Sequence, residues 1–294
     1  MLETIWLVGE GRWGSKIRST LADMGISASI IDIRQGTSIW DINDSSPIII
    51  ATPTQLHHDH ARHFISRGHD VFIEKPACER PEQIRDLLSL IKNDQIVMPG
   101  HLYMFHPFLG EVKRIIDGGV IGDIRHIHCE RTNLGTYQTK DVLINNIALH
   151  DLTIIEELFG ITQIKHAAFT DISGNGLPDR AIILGKANSI DWQIDASWLS
   201  ASRRRMLAIA GLRGQIVWDD DKNTLQVTTT DISGDTLVCE KLAPLSRQGP
   251  PPLWLELEHF LGCVTTRSQP KVDLSHALRI SELIAEIGSL RMSS

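Results

Sequence analysis

Only four cysteines occur in 294 residues, Cys78, Cys129, Cys239 and Cys263, far apart and without a C-x-x-C pair. This excludes a disulfide framework and a zinc knuckle, and a reducing, cytoplasmic setting is expected. Long apolar runs are missing too. Stretches such as Pro47–Ala51 cover a few residues, whereas a membrane span needs about 20. The opening Met1-Leu2-Glu3 passes directly into Ile5-Trp6-Leu7-Val8, so no leader segment is expected. There is no basic surplus: 29 Lys and Arg against 36 Asp and Glu give a net charge of -7, and the tight cationic cluster is Arg203-Arg204-Arg205. Such a balance argues against a nucleic-acid partner. Internal repeats and low-complexity segments are lacking as well.

What remains is an ordinary globular composition, 42% hydrophobic and 22% charged, in a chain long enough for two domains. Short apolar runs at Ile5–Val8, Ala28–Ile33, Pro47–Ala51, Val71–Glu74 and Gln95–Met98 predict buried strands. Between them, Trp13–Met24, Leu56–Arg67 and Pro81–Lys92 carry apolar residues at helical spacing, with stop signals at Gly25, Gly68 and Asn93. This alternation predicts βαβ units and a parallel sheet covered on both faces. From about Gly119 the rhythm changes to strand-like runs at Ile124–Cys129, Ala181–Leu184, Ser189–Trp198, Met206–Ala210, Gln215–Trp218 and Leu225–Thr229. Helical patterns at Trp254–Cys263 and Leu274–Leu290 close the chain. The expected fold is α/β, with a Rossmann domain over 1–119 and an α+β domain with a large open mixed or antiparallel sheet over 120–294.

Gly9-Glu10-Gly11-Arg12-Trp13-Gly14 reads G-x-G-x-x-G between the first strand and the first helix. In that position Gly9 serves the tight turn, Gly11 lets backbone approach a pyrophosphate, and Gly14 lets helix and sheet pack closely. The pyrophosphate would lie on the helix N-terminus, beside Arg12 and Trp13. Asp32 follows Gly14 by 18 positions, near the end of the second strand. A carboxylate there accepts from the ribose hydroxyls and disfavours a 2′-phosphate, so NAD(H) is preferred. Arg34 leaves NADP(H) open. Ala51-Thr52-Pro53, with His57 following, ends the third strand where ligands bind in open parallel sheets, although a Pro turn with an N-cap explains part of it equally well. Glu74-Lys75-Pro76 ends the fourth strand at the same edge and places a lysine at the mouth of the crevice; a surface lysine at a strand end is an even alternative.

Taken together, these pieces resemble the glucose–fructose oxidoreductase and inositol dehydrogenase family (Gfo/Idh/MocA). The resemblance continues through Gly100-His101, Phe105-x-Pro107, Gly118-Gly119-Val120-Ile121-Gly122, His150-Asp151, Arg205, Gly211, Gly214, Glu256 and Phe260. It implies NAD(P)-dependent oxidation or reduction of a sugar, cyclitol or nucleotide-linked sugar, and association as a homodimer or homotetramer through the C-terminal sheet. It also implies that Lys75 contacts nicotinamide and substrate and that His150 is the general acid/base. The family's Lys-Pro bond is often cis. An imidazole suits proton exchange near neutrality, and His150 is expected to begin a helix whose N-terminus holds it neutral, although a helix-capping histidine reads as well.

One departure stands out. The family usually carries aspartate four residues before the histidine, where this chain has Asn146. Asparagine can orient a group but cannot take a proton. Three readings follow: a hydroxy/keto sugar oxidoreductase, an imine or conjugated-double-bond reductase of the biliverdin-reductase type, and a non-catalytic NAD(H)-binding regulator. Arg131-Thr132-Asn133-Leu134-Gly135 resembles a subgroup of surface-polysaccharide biosynthesis. Tyr103 and Arg131 are candidate substrate contacts, or ordinary strand and loop residues. Met104 replaces an arginine common in the family. Histidines 57, 60 and 63 on one helix, and His126 and His128 on one strand face, lack a second ligand cluster, so no metal is expected; His60 and His63 are read instead as part of the helix's polar outer face, and His57 as part of the cofactor-side turn.

Overall fold

The computed structural model describes residues 5–32, 38–42, 45–92, 94–133, 143–160, 162–233, 236–242, 244–246 and 248–291. The first half alternates β1 (Ile5–Val8), α1 (Arg12–Asp23), β2 (Ala28–Ile31), β3 (Ile48–Ile50), α2 (Thr54–Ser66), β4 (Val71–Ile73), α3 (Pro81–Leu90) and β5 (Val97–Pro99). The strands form one parallel sheet in the order β2-β1-β3-β4-β5. The strand cores lie within the expected runs, except that β5 extends one residue past Met98. Asn93, one expected helix stop, lies outside the described residues.

Both faces of this sheet are apolar because consecutive strand residues point opposite ways. Ile48, Ile50, Val71 and Ile73 pack with Ala61 and Phe64 of α2 and with Ile84 and Leu87 of α3. Ile49 and Phe72 pack on the other face with Ile17 and Leu21 of α1. Each fully buried aliphatic or aromatic side chain contributes roughly 1.5–3 kcal/mol. The three consecutive isoleucines of β3 are completely buried, which anchors the strand from which the second rim turn emerges.

Beyond Phe105 come α4 (Pro107–Asp117), β6 (Ile124–Thr132), α5 (Leu149–Phe159), β7 (Thr162–Thr170), β8 (Arg180–Ala187), β9 (Ile190–Ser197), β10 (Arg204–Gly211) and β11 (Gly214–Asp219). Next are β12 (Thr224–Ser233), β13 (Thr236–Lys241), β14 (Leu245–Ser246), α6 (Pro252–Thr266) and α7 (Leu274–Arg291). The second sheet runs β13-β12-β11-β10-β6-β9-β8-β7, with β14 beside β12. Its β6–β9 pair is parallel and the other pairs are antiparallel. The expected mixed sheet is therefore present. Sequence reading omitted α4, β7, β13 and β14.

By packing, the chain forms two compact units, residues 1–105 with 250–282 and residues 106–249 with 283–294. The division expected at 119/120 assigned both C-terminal helices to the second part. In the structure Leu257 and Phe260 of α6 enter the α1-side core of the parallel sheet, and Leu274 and Ala277 of α7 enter the opposite core. Arg267, at the end of α6, binds the buried Asp70 carboxylate at 2.7 and 2.8 Å, and Asp70 also accepts the Ile96 N–H at 2.9 Å. The Arg267–Asp70 pair spans 197 residues of sequence, where local periodicity carries no signal. Among the described residues no helix is long and apolar enough to cross a membrane.

Candidate active site

Three turns leave the carboxyl ends of β1, β3 and β4. The backbone binds their stems: the Gly9 N–H donates to Ile31 O at 2.8 Å, the Ala51 N–H to Val8 O at 2.8 Å and the Glu74 N–H to Ile50 O at 2.9 Å. Gly9 has a φ of +98°, a conformation strained for residues with a side chain. A Cβ on Gly14 would lie 2.0 Å from Gly9 O, whereas a Cβ on Gly11 would meet nothing within 4 Å. The first and third glycines thus close the turn against α1, while the second leaves open space beside the helix N-terminus, where Arg12 and Trp13 begin α1. That open cradle fits a dinucleotide pyrophosphate. Asp32 is buried immediately past β2. Arg34 lies outside the described residues.

Side chains tie the turns together. The Trp13 indole N–H donates to Glu74 Oε1, and the Lys75 backbone N–H donates to Glu74 Oε2 at 3.1 Å. The indole joins the glycine turn to the Glu-Lys-Pro turn, whose Lys75–Pro76 bond is cis. Ala51 and Thr52 are half-buried and Pro53 caps α2. His57, in the first turn of α2, lies with Nε2 2.7 Å from Thr52 O and Nδ1 2.9 Å from Pro76 O. Burial lowers its pKa, while the carbonyls of Pro76 and Thr52 act in the opposite direction.

Below Lys75 lies a buried polar cluster that sequence reading did not assemble. Glu74 is pushed up by burial, against the pull of Trp13 and Lys75. Glu256 on α6 is pushed well above the carboxylate range by burial and then by the charge of Glu74, although it accepts the His101 backbone N–H. Its Oε1 has no hydrogen-bond partner among the described residues. The His101 ring packs edge-on to His276 at 5.2 Å. Burial, His276 and Lys75, in that order, hold His101 down to about 3, so it is neutral. The sequence clue was available in Gly100-His101 and Glu256, but their meeting depends on the return of α6 to this unit.

The histidines of α2 correct another expectation. His60 and His63 are buried rather than forming a polar outer face. His60 Nδ1 lies 3.3 Å from Thr52 Oγ1, and burial brings its pKa down to about 4. His63 packs edge-on to Trp40, with ring centroids 4.2 Å apart.

In the second unit, Asn146 sits in a single π turn, Ile144–Ala148, that runs directly into α5. His150 is the second residue of α5, but the helical path already includes Leu143, and the Leu149 N–H donates to Ile144 O. His150 therefore does not begin the helical path, and the dipole argument for its neutrality loses its basis. Asp151 is buried and points into the unit, accepting from Arg131 Nε at 3.1 and 3.3 Å and from its terminal nitrogen at 2.8 Å. Arg131, a candidate substrate contact, thus fastens β6 to the helix carrying His150. Tyr103 lies buried in a 3-10 turn of the first unit.

Residues 34–101 match the family described as "Oxidoreductase family, NAD-binding Rossmann fold". Inositol 2-dehydrogenase of Rhizobium meliloti is 29% identical over 166 residues, 54% of this chain and 48% of that protein. Matches to the first curated relatives cover 28% and 51% of those proteins' own length. Two solved structures agree over nearly the whole fold. Levoglucosan dehydrogenase in complex with NADH has a TM-score of 0.81 at 18% identity, covering 99% of this chain and 97% of that one. UDP-N-acetylglucosamine 3-dehydrogenase from Acidithiobacillus ferrooxidans has a TM-score of 0.78 at 17% identity, covering 98% and 96%. At these identities the structural matches speak for the fold alone. Together with the three-glycine turn, the match over residues 34–101 makes the first unit similar to the NAD-binding Rossmann module of the Gfo/Idh/MocA oxidoreductase family.

Proposed function

We propose that the chain is an NAD(H)-dependent oxidoreductase acting on a CH–OH or keto group of a sugar-like substrate, free or nucleotide-linked. The observation that carries the reading is the glycine turn, packed tight at Gly9 and Gly14 and open at Gly11. Gly9, Gly11, Arg12, Trp13 and Gly14 hold the pyrophosphate, Asp32 accepts from the adenosine ribose, and Ala51, Thr52, Pro53, His57, Glu74 and Lys75 form the remaining rim. Arg34 keeps NADP(H) open as the less favoured cofactor. The bound nicotinamide supplies or receives the hydride. Lys75 donates a hydrogen bond to the reacting oxygen, and His150 takes or returns its proton, oriented with help from Asn146. Tyr103 is the candidate sugar contact, whereas the carboxylate of Asp151 occupies much of the Arg131 guanidinium. Association through the C-terminal sheet and a cytoplasmic location complete the proposal.

Asn146 favours a second reading, reduction of an imine or conjugated double bond, which needs less help from a base. An NADH fluorescence titration tests the cofactor first: saturable binding is expected, weakened about tenfold in Asp32→Ala. Failure of the folded parent to bind overturns the proposal. With a sugar and keto-sugar panel, Lys75→Met and His150→Ala are each expected to lower kcat by about 10²-fold or more. Near-parental turnover in His150→Ala selects the second reading, while binding without any turnover selects a regulator.

A further inference from the structure

The ring of His57 occupies a position with a definite proton count. Its two nitrogens lie 2.7 Å from Thr52 O and 2.9 Å from Pro76 O. A carbonyl oxygen only accepts, so each short contact requires an N–H. Neutral imidazole has one. Its second nitrogen would turn a lone pair toward an oxygen lone pair inside a buried site. Flipping the ring would exchange nitrogens for carbons, and C–H···O contacts lie near 3.3–3.6 Å, too long for this space.

We propose that His57 is an imidazolium, protonated on both nitrogens, and acts as a positioning residue that clamps the Thr52 turn to the Pro76 turn and so fixes Lys75. Burial opposes a cation here. Against it stand two charge-assisted hydrogen bonds, each roughly twice as strong as a neutral one. The Ala77 backbone and the negative charge of Glu79, on the segment after Pro76, add to them. The other titratable neighbours do not compete. His60, on the same helix, is held neutral by burial, and burial pushes the Cys78 thiol up to about 12, leaving it uncharged. A neutral ring would secure one turn and repel the other, whereas the cation secures both.

The cofactor assignment is not needed for the proton count, but the consequence for Lys75 rests on it. The direct test is ¹⁵N NMR of the full-length protein with labelled histidine, the His57 ring being assigned through bonds to its own backbone. Both ring nitrogens are expected to carry a proton at neutral pH, the two carbonyl contacts outweighing the lowering that burial imposes. One protonated and one bare nitrogen overturns the proposal. His57→Gln offers one donor end and one acceptor end, so it should satisfy only one carbonyl. NADH binding is expected to weaken about tenfold in this variant, with kcat also reduced. If it folds and binds and turns over like the parent, the clamp role is overturned. Should the parent bind no NADH, the cofactor reading fails separately and the NMR result still decides the proton count.

Discussion

The rim turns of the first unit and the Asn146–His150 segment of the second carry the proposed chemistry in different ways. The stems of the rim are fixed by backbone: a positive-φ glycine, a glycine with no space for a methyl, and turns tied to neighbouring strand carbonyls, with Trp13 and His57 joining the turns to one another. The His150 segment is fixed by its surroundings. A π turn sets its phase, and the Arg131–Asp151 pair holds its helix against β6. Backbone constraints demand particular residues at particular spacings, so they are visible in a sequence. A buried ion pair between residues 20 positions apart leaves no local pattern.

Cutting that ion pair should have the largest effect and would sharpen the contrast. Asp151 is buried and Arg131 nearly so, and removing one partner strands a charge in a poorly solvated site. Asp151→Ala is expected to cost about 3–5 kcal/mol in urea unfolding. Arg131→Leu should cost a similar amount, and the double variant less than the sum. A loss under about 1 kcal/mol for either single change would mean that the segment is held by other contacts.

The next test separates fold from ligand within the glycine turn. Gly14→Ala drives a methyl to 2.0 Å from Gly9 O, so an overpacking loss of about 1–3 kcal/mol is expected. Gly11→Ala puts its methyl in open space. Its stability should match the parent within about 0.5 kcal/mol, while NADH binding falls about tenfold or more because the pyrophosphate needs that space. Equal stability losses in the two variants would break the distinction.

How much was legible follows the same line. Ile48–Ile50, Val71–Ile73 and the three short helices announced a parallel sheet because a strand buried on both faces must be apolar throughout. The turns followed from glycine and proline. β7 was missed because a register shift between Ile164 and His166 interrupts its alternation. α4 was missed although Pro107, Phe108, Val112 and Ile115 supplied both a start signal and a face. His60 and His63 of α2 were misread because histidine is compatible with either surface or core. Only the folded neighbourhood distinguishes them, through Trp40 for His63 and Thr52 for His60.

His101 gives the smallest and most conditional effect, because it appears only as pH falls. Its folded pKa, near 3, is below the ordinary value of about 6.5. The unfolded chain therefore binds the proton first, and His101's contribution to stability, complete above pH ~6.5, declines as pH drops toward about 3. Between about pH 6.5 and 5 the loss should be ~1–2 kcal/mol. The buried Glu74–Glu256 pair has the opposite sign: with folded pKa values raised, its contribution is present at low pH and is lost as pH rises above the ordinary carboxylate range. His101→Gln keeps the backbone N–H that Glu256 accepts and removes the titrating ring. Urea titrations of parent and variant should thus diverge on the acid side alone, with the variant's curve flatter by that amount. Parallel curves would place the His101 proton uptake in solvent, and the buried cluster would then no longer distinguish this rim from the His150 segment.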